Sequence, residues 1–177
     1  ECNTTGGVTS NSSDTRVLRC NIGQTLFHSS AGESNCTVFQ STIADHIQSR
    51  AKRSWIGYNT AKRMTIDGSG AYEAEVVGND FQRVSNASDN WTIVNLDAAN
   101  LKANVRNNMI RRCWGTSIYN ECDGIYIRRG IEIRVHNNIF HRIFRHGVNI
   151  HADTEKCDIV GNFFAMIRDN AVYAPFD

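Results

Sequence analysis

The chain has one proline among its 177 residues, almost no net charge and no long apolar run. Its 19 Lys and Arg are matched by 18 Asp and Glu, leaving a formal charge of +1, so no global field draws it to nucleic acid. No stretch approaches the roughly 20 apolar residues that a bilayer-spanning helix requires, and no charged-then-apolar leader opens the sequence. It begins at Glu1-Cys2, as a processed chain does. Gly-rich phosphate loops, nucleophile elbows and zinc-ribbon spacings are missing. The histidines offer only His136-x-x-x-x-His141 and His146-x-x-x-x-His151, with Asp153 near the second pair. No metal, no other cofactor, no nucleic acid and no membrane span are therefore expected. With 41% apolar and 21% charged residues, the composition is that of a folded domain rather than a disordered one.

Asparagine and cysteine are what the chain has in quantity. It carries 19 asparagines, the residue that tolerates left-handed corners best after glycine. Six cysteines and five Asn-x-Ser/Thr sequons, at Asn3, Asn11, Asn35, Asn86 and Asn90, predict a secreted, glycosylated and oxidised protein. Cys2, Cys20 and Cys36 lie in the first third, while Cys113, Cys122 and Cys157 lie far downstream. Three cannot pair among themselves. Either a bridge ties the two groups together or at least two thiols stay free. A Cys113–Cys122 bridge across a short loop is one arrangement; a buried thiol acting as a small hydrophobe at Cys113 and Cys157 is the other.

From Ala74 onward one pattern repeats. Ala74-x-Val76-x-x-Asn79-x-Phe81-x-x-Val84 becomes Ala103-x-Val105-x-x-Asn108-x-Ile110-x-x-Cys113, then Ile133-x-Val135-x-x-Asn138-x-Phe140-x-x-Ile143, then Cys157-x-Ile159-x-x-Asn162-x-Phe164-x-x-Ile167. A second apolar segment follows each unit: Ile93 to Leu96, Ile125-Tyr-Ile127, Val148-Asn-Ile150, Val172-Tyr-Ala174. A period of roughly 24 to 30 residues signals a solenoid, and apolar residues two apart signal strands. Stacked in parallel, the aligned positions form inward ladders. The asparagines form a ladder of their own, whose amides can bond to one another and to the corner backbone.

Residues 1–53 form a separate expectation: a Cys-containing, glycosylated segment ending in a capping helix near 41–53, with Ser41 as cap and Ile43, Ile47 and Ala51 on one face. Arg50-Ala51-Lys52-Arg53 resembles the recognition sequence of furin-type proprotein convertases. Residues 54–177 are expected to make about five coils. The last coil, ending at Pro175-Phe176-Asp177, has no amphipathic helix to cover it. It is predicted to be continued by a longer chain or by another copy, head to tail.

The motif, followed by Gly-(Ile/Val)-x-Ile, resembles the repeat of the pectate-lyase-like superfamily. That resemblance implies an all-β, right-handed parallel β-helix over about residues 64 to 177. Asn120-x-x-Asp123-Gly124-Ile125 and His146-Gly147-Val148-x-Ile150 are similar to segments of the polygalacturonases within it. Asp123, and more loosely His146, carry over as catalytic candidates; Arg145-His146 stand where that family has aspartates. Aligning the second strands puts Asp123 beside His146, a usable acid–base pair or simply good strand pairing. Arg111, Arg112, Arg142 and Arg145 form a candidate basic strip for an acidic polysaccharide, with Tyr126 and Tyr173 placed to stack on sugar rings. Two functions follow: an extracellular structural or adhesive module that assembles into fibres and touches acidic glycans, or a polysaccharide lyase, epimerase or hydrolase. The balance leans away from an enzyme.

Overall fold

The computed structural model describes residues 2–28, 34–82, 92–113 and 122–175. Val84, Asn86, Asn90 and Asn120 lie outside the described residues. Strands follow one another at short intervals, because β-branched and aromatic residues alternate with polar ones and Asn, Gly or Ser interrupts each run. They group into layers. A partial first layer holds β1 (Asn3–Thr4) and β2 (Val8–Ser10); the second holds β3 (Asp14–Leu18), β4 (Asn21–Ile22) and β5 (Leu26–His28). The third has β6 (Asn35–Phe39) and a long β7 (Thr42–Ser49), the fourth β8 (Arg53–Gly57) and a long β9 (Thr60–Asp67). Three strands per layer then return: β10 (Glu73–Val77), β11 (Asp80–Gln82), β12 (Val94–Asp97); β13 (Lys102–Arg106), β14 (Met109–Cys113), β15 (Ile125–Arg129); β16 (Glu132–His136), β17 (Ile139–Ile143), β18 (Val148–Ile150); β19 (Cys157–Val160), β20 (Phe163–Ile167), β21 (Val172–Tyr173).

Every pairing between these strands is parallel and joins one layer to the next. A 7-stranded sheet runs β3-β6-β8-β10-β13-β16-β19. A 14-stranded sheet holds the remaining strands and curls, because β7 and β9 each span a width that two strands cover elsewhere. The protein is thus all-β with parallel sheets. The expected inward ladders stand in register: Ala74↔Ala103↔Ile133↔Cys157 and Val76↔Val105↔Val135↔Ile159 on one sheet, Phe81↔Ile110↔Phe140↔Phe164 on the other. Cys113↔Ile143↔Ile167 continues the second set. Phe140 and Phe164 stack with centroids 4.7 Å apart.

The corners between the two sheets are built by asparagine. The Oδ1 of Asn79 accepts from the N–H of Asn59 at 2.9 Å, and the same bond runs from Asn79 to Asn108, from Asn108 to Asn138, and from Asn138 to Asn162. Each Nδ2 donates back to a strand carbonyl, as Asn108 does to Val76 and Asn138 to Val105. The residue before each member sits in the left-handed region, at Tyr58, Gly78, Asn107, Asn137 and Gly161. Gly78 is required there, since a Cβ would meet the Tyr58 ring at 2.7 Å. Asn59, with Ser41 above it, extends the ladder beyond the four asparagines named from the repeat.

One expectation for the N-terminal third is corrected. The capping helix near 41–53 is absent: Ile43 and Ile47 lie on β7 in register with Ala61 and Met64. Positions four and eight apart satisfy a strand's period of two as well as a helix's, and the waiting parallel neighbours decide between them. Ser41 is a corner residue rather than a cap, its N–H donating to Asn59 Oδ1. At the expected boundary, β6 and β10 both pair with β8, which begins at Arg53. The basic segment therefore enters a central strand, with Ala51 fully buried and Arg53 held by Glu73 at 3.2 Å. The six cysteines stand as thiols, Cys113 and Cys122 among the most deeply buried residues.

The ladder makes a prediction about stability. Asn108→Ala removes the acceptor of the Asn79 N–H and the donor to Val76 O, both buried. Leaving two such groups unpaired costs about 2–5 kcal/mol. Asn162→Ala, at the half-exposed end of the same ladder, should cost less than half as much. Chemical denaturation of the two variants checks the ranking; equal, small losses would show that the amides do not hold the corner.

Candidate functional site

Asp123 and His146 are brought together on successive layers just before β15 and β18, where Ile125 pairs with Val148. The Asp123 carboxylate is buried. One oxygen accepts the backbone N–H of His146 at 3.1 Å and the other the Asn149 side-chain amide at 2.8 Å. Arg145 stands 3.9 Å from it. Desolvation nevertheless wins and raises the Asp123 pKa above 3.8, against the lowering pull of those donors. His146 is 5% exposed. Its ring lies flat on Tyr173, with centroids 4.6 Å apart and planes 7° from parallel, and its Nδ1 is 3.4 Å from the Asn170 amide. Burial lowers its pKa below 6.5, with Asp123 and Asp169 pulling upward and Arg145 downward.

Chemically, both groups are held toward their neutral forms. A general base needs a free lone pair facing its substrate, whereas each Asp123 oxygen is already occupied by a donor from the next layer. Tyr173, expected to stack on a sugar, covers the imidazole. Tyr126 and Asn149 share its column, and the buried Asn149 serves Asp123 rather than solvent. What the arrangement does is tie one layer to the next through a polar contact at a corner that carries no asparagine ladder.

The basic strip divides in two. Arg111 makes a fork with Asp80, at 2.9 and 2.5 Å, and that bond raises its pKa further. Arg145 faces Asp123. Arg112 and Arg142 are exposed, stand one above the other between Arg111↔His141 and Cys113↔Ile143, and share left-handed backbones at φ 61 and 59. Of the sequon asparagines, Asn3 and Asn11 are exposed, and Asn35 is exposed with its amide donated to Asp14 at 2.6 Å. Among the described residues, no group of three His, Cys, Asp or Glu is arranged to hold a metal ion.

A groove that the repeat motif did not reveal crosses the outer face of the 7-stranded sheet. It has a volume of about 690 Å³ and runs past Arg16, Arg53, Trp55, Glu75 and Arg134. Beside it Trp55 stacks on Phe39 at 5.0 Å and Tyr58 meets the same ring edge-on. Several charges along the groove are paired: Arg53 with Glu73 at 3.2 Å, Arg134 with Glu132 at 2.6 Å, and Glu75 with the neighbouring Arg106 at 2.6 Å. The signal was present in the outward positions, where opposite charges recur one repeat apart. It emerges only once the register is known.

The pH behaviour of the corner distinguishes a tether from an acid–base pair. A depressed histidine pKa adds stability above 6.5 that is lost as the pH falls through the folded value, and a raised aspartate pKa adds stability below 3.8 that is lost as the pH rises through its folded value. His146 should therefore titrate below 6.5 by NMR, and His146→Gln should flatten the loss of stability on acidification from that point. Titration above 6.5 would instead mark an imidazole driven by the Asp123 carboxylate.

No protein-family model, no curated protein and no solved structure matches the chain.

Proposed function

We propose that the chain is an extracellular structural or adhesive module, a right-handed parallel β-helix of the pectate-lyase-like kind, whose final layer is continued by a further chain. The reading is carried by an apolar rim around that layer. Three outward columns change character along the stack: Thr60, Asp80, Met109, Ile139, Phe163 in one; Arg106, His136, Val160 in the second; Arg112, Arg142, Met166 in the third. The second and third columns carry polar or charged groups in the inner layers and the first turns apolar from Met109 onward, and the final layer exposes Phe163 at 62%, Met166 at 63% and Val160 at 54%. Its inward residues Phe164, Ile159 and Ile167 are half-covered, while their counterparts Phe140, Val135 and Ile143 are fully buried. Apolar residues around an open strand edge are what a docking face offers.

The right-handed reading is supported by the general rule that parallel crossover connections are right-handed in about 98% of known cases. The asparagine corner supports kinship with the pectate-lyase-like repeat. Six cysteines and five sequons support secretion and glycosylation. The exposed Arg112 and Arg142 support contact with acidic glycans. A lyase, epimerase or hydrolase is the lesser reading, because Asp123 and His146 are covered and spoken for.

A second copy is the simplest continuation. Sedimentation of the chain should show association that grows with concentration, closing at a dimer if the faces meet symmetrically and extending if they meet head to tail. Phe163→Asp together with Met166→Asp should return it to monomer without lowering the unfolding midpoint, since both side chains are exposed. A monomer at every concentration would contradict the reading.

A further inference from the structure

We propose that Cys2 and Cys20 form a disulfide that closes the N-terminal end of the corner ladder. The ladder's column runs, one residue per layer, through Cys2, Cys20, Ser41, Asn59, Asn79, Asn108, Asn138 and Asn162. Each directly precedes a member of one register: Asn3↔Asn21↔Thr42↔Thr60↔Asp80↔Met109↔Ile139↔Phe163. The backbone makes the same bond at every step. The Asn21 N–H donates to Cys2 O at 2.8 Å, that of Thr42 to Cys20 O at 2.9 Å, that of Thr60 to Ser41 O at 3.0 Å. Side chains also join each layer to the next, by amides in the later layers and then by Ser41, whose Oγ accepts the Cys20 N–H at 3.0 Å. At the last step two cysteines take over: Cys2 and Cys20 stand next to each other in the column, directly before the paired Asn3 and Asn21, and the Cys20 Sγ donates to Leu18 O at 3.4 Å.

Neighbouring parallel strands lie about 4.8 Å apart, inside the Cα separation of roughly 4.4 to 6.8 Å that a disulfide spans. Side chains of one column point the same way, so the two sulfurs meet without a change of register. The remaining cysteines behave differently. Cys36 and Cys157 share the inward column through Ser54, Ala74, Ala103 and Ile133. Five strand spacings, about 24 Å, separate them, and burial pushes both thiols up to about 11. Cys113 and Cys122 have no exposed surface. Cys2 is exposed and Cys20 half-exposed, so an oxidant in solution reaches this pair first.

The oxidant is a small aliphatic disulfide such as oxidised glutathione. The Cys2 thiol gives up its proton and its thiolate attacks one sulfur of that disulfide, forming a mixed disulfide as the small S–S bond breaks and one thiolate leaves. The Cys20 thiolate then attacks the Cys2 sulfur, forming the Cys2–Cys20 bond and expelling the second small thiolate. Two cysteine thiols are oxidised, one small disulfide is reduced, and the two released protons end on the two small thiols.

The full chain, incubated with oxidised glutathione, alkylated and digested without reduction, should yield one dominant cross-linked peptide pair joining Cys2 to Cys20. Hydrogen exchange in β1 and β2 should slow by about tenfold or more on oxidation, and Cys20→Ser should abolish that slowing while leaving exchange in β10 to β18 unchanged. Stable glutathione adducts without the cross-link, untouched thiols, or either cysteine linked to Cys36, Cys113, Cys122 or Cys157 would overturn the assignment.

Discussion

The corner amide is the contact on which the rest of the structure depends. A solenoid must turn its backbone at the same place in every layer, and each turn leaves N–H and C=O groups that no strand partner satisfies. In this chain a single side chain settles both. The asparagine Oδ1 accepts the ladder N–H of the preceding layer while its Nδ2 donates to a strand carbonyl of that same preceding layer, as Asn108 does with Asn79 and Val76. The left-handed residue before it aims the corner. Because each amide contacts the next layer, the corner also fixes register. A slip of one residue would strand a buried amide as well as invert the core ladders.

With register fixed this way, side chains of one column become neighbours whatever their sequence separation. Phe140 meets Phe164, Arg111 meets Asp80 and Asp123 meets His146 for one reason: each pair lies one layer apart. The polar columns are largely self-satisfying along the stack, which leaves the interior stabilised by continuous apolar ladders and the outer faces by ion pairs that compensate one another. Such a body gains little from any one exposed pair and much from adding another layer. That is the physical basis for treating the apolar rim of Val160, Phe163 and Met166 as a site of continuation.

The later repeats were legible from residues alone, because Asn-x-(Phe/Ile) with apolar positions two apart fits only one corner and one strand period. Asp123 and His146 could be paired for the same reason. What the residues concealed had three causes. In the first third, Ser41 and Cys20 occupy the corner column without being asparagine, so the pattern breaks although the backbone does not. At Ile43, Ile47 and Ala51 a spacing of four fits helix and strand equally, and only the strands on either side exclude the helix. The burial of Asp123 and the stacking of Tyr173 on His146 depend on the neighbouring layers, which the residues alone did not show. The Trp55 groove needed cross-strand register before its residues could be seen as neighbours.

The central claim is that this stack is made to be continued at β19–β21. Amide hydrogen exchange, resolved by residue and followed as concentration rises, tests it most directly. The account predicts that amides of β19 and β20, unpaired along one edge in the single chain, become protected as copies associate, while β10 to β18 are protected throughout. Exchange at β19 and β20 that stays fast and independent of concentration would contradict it.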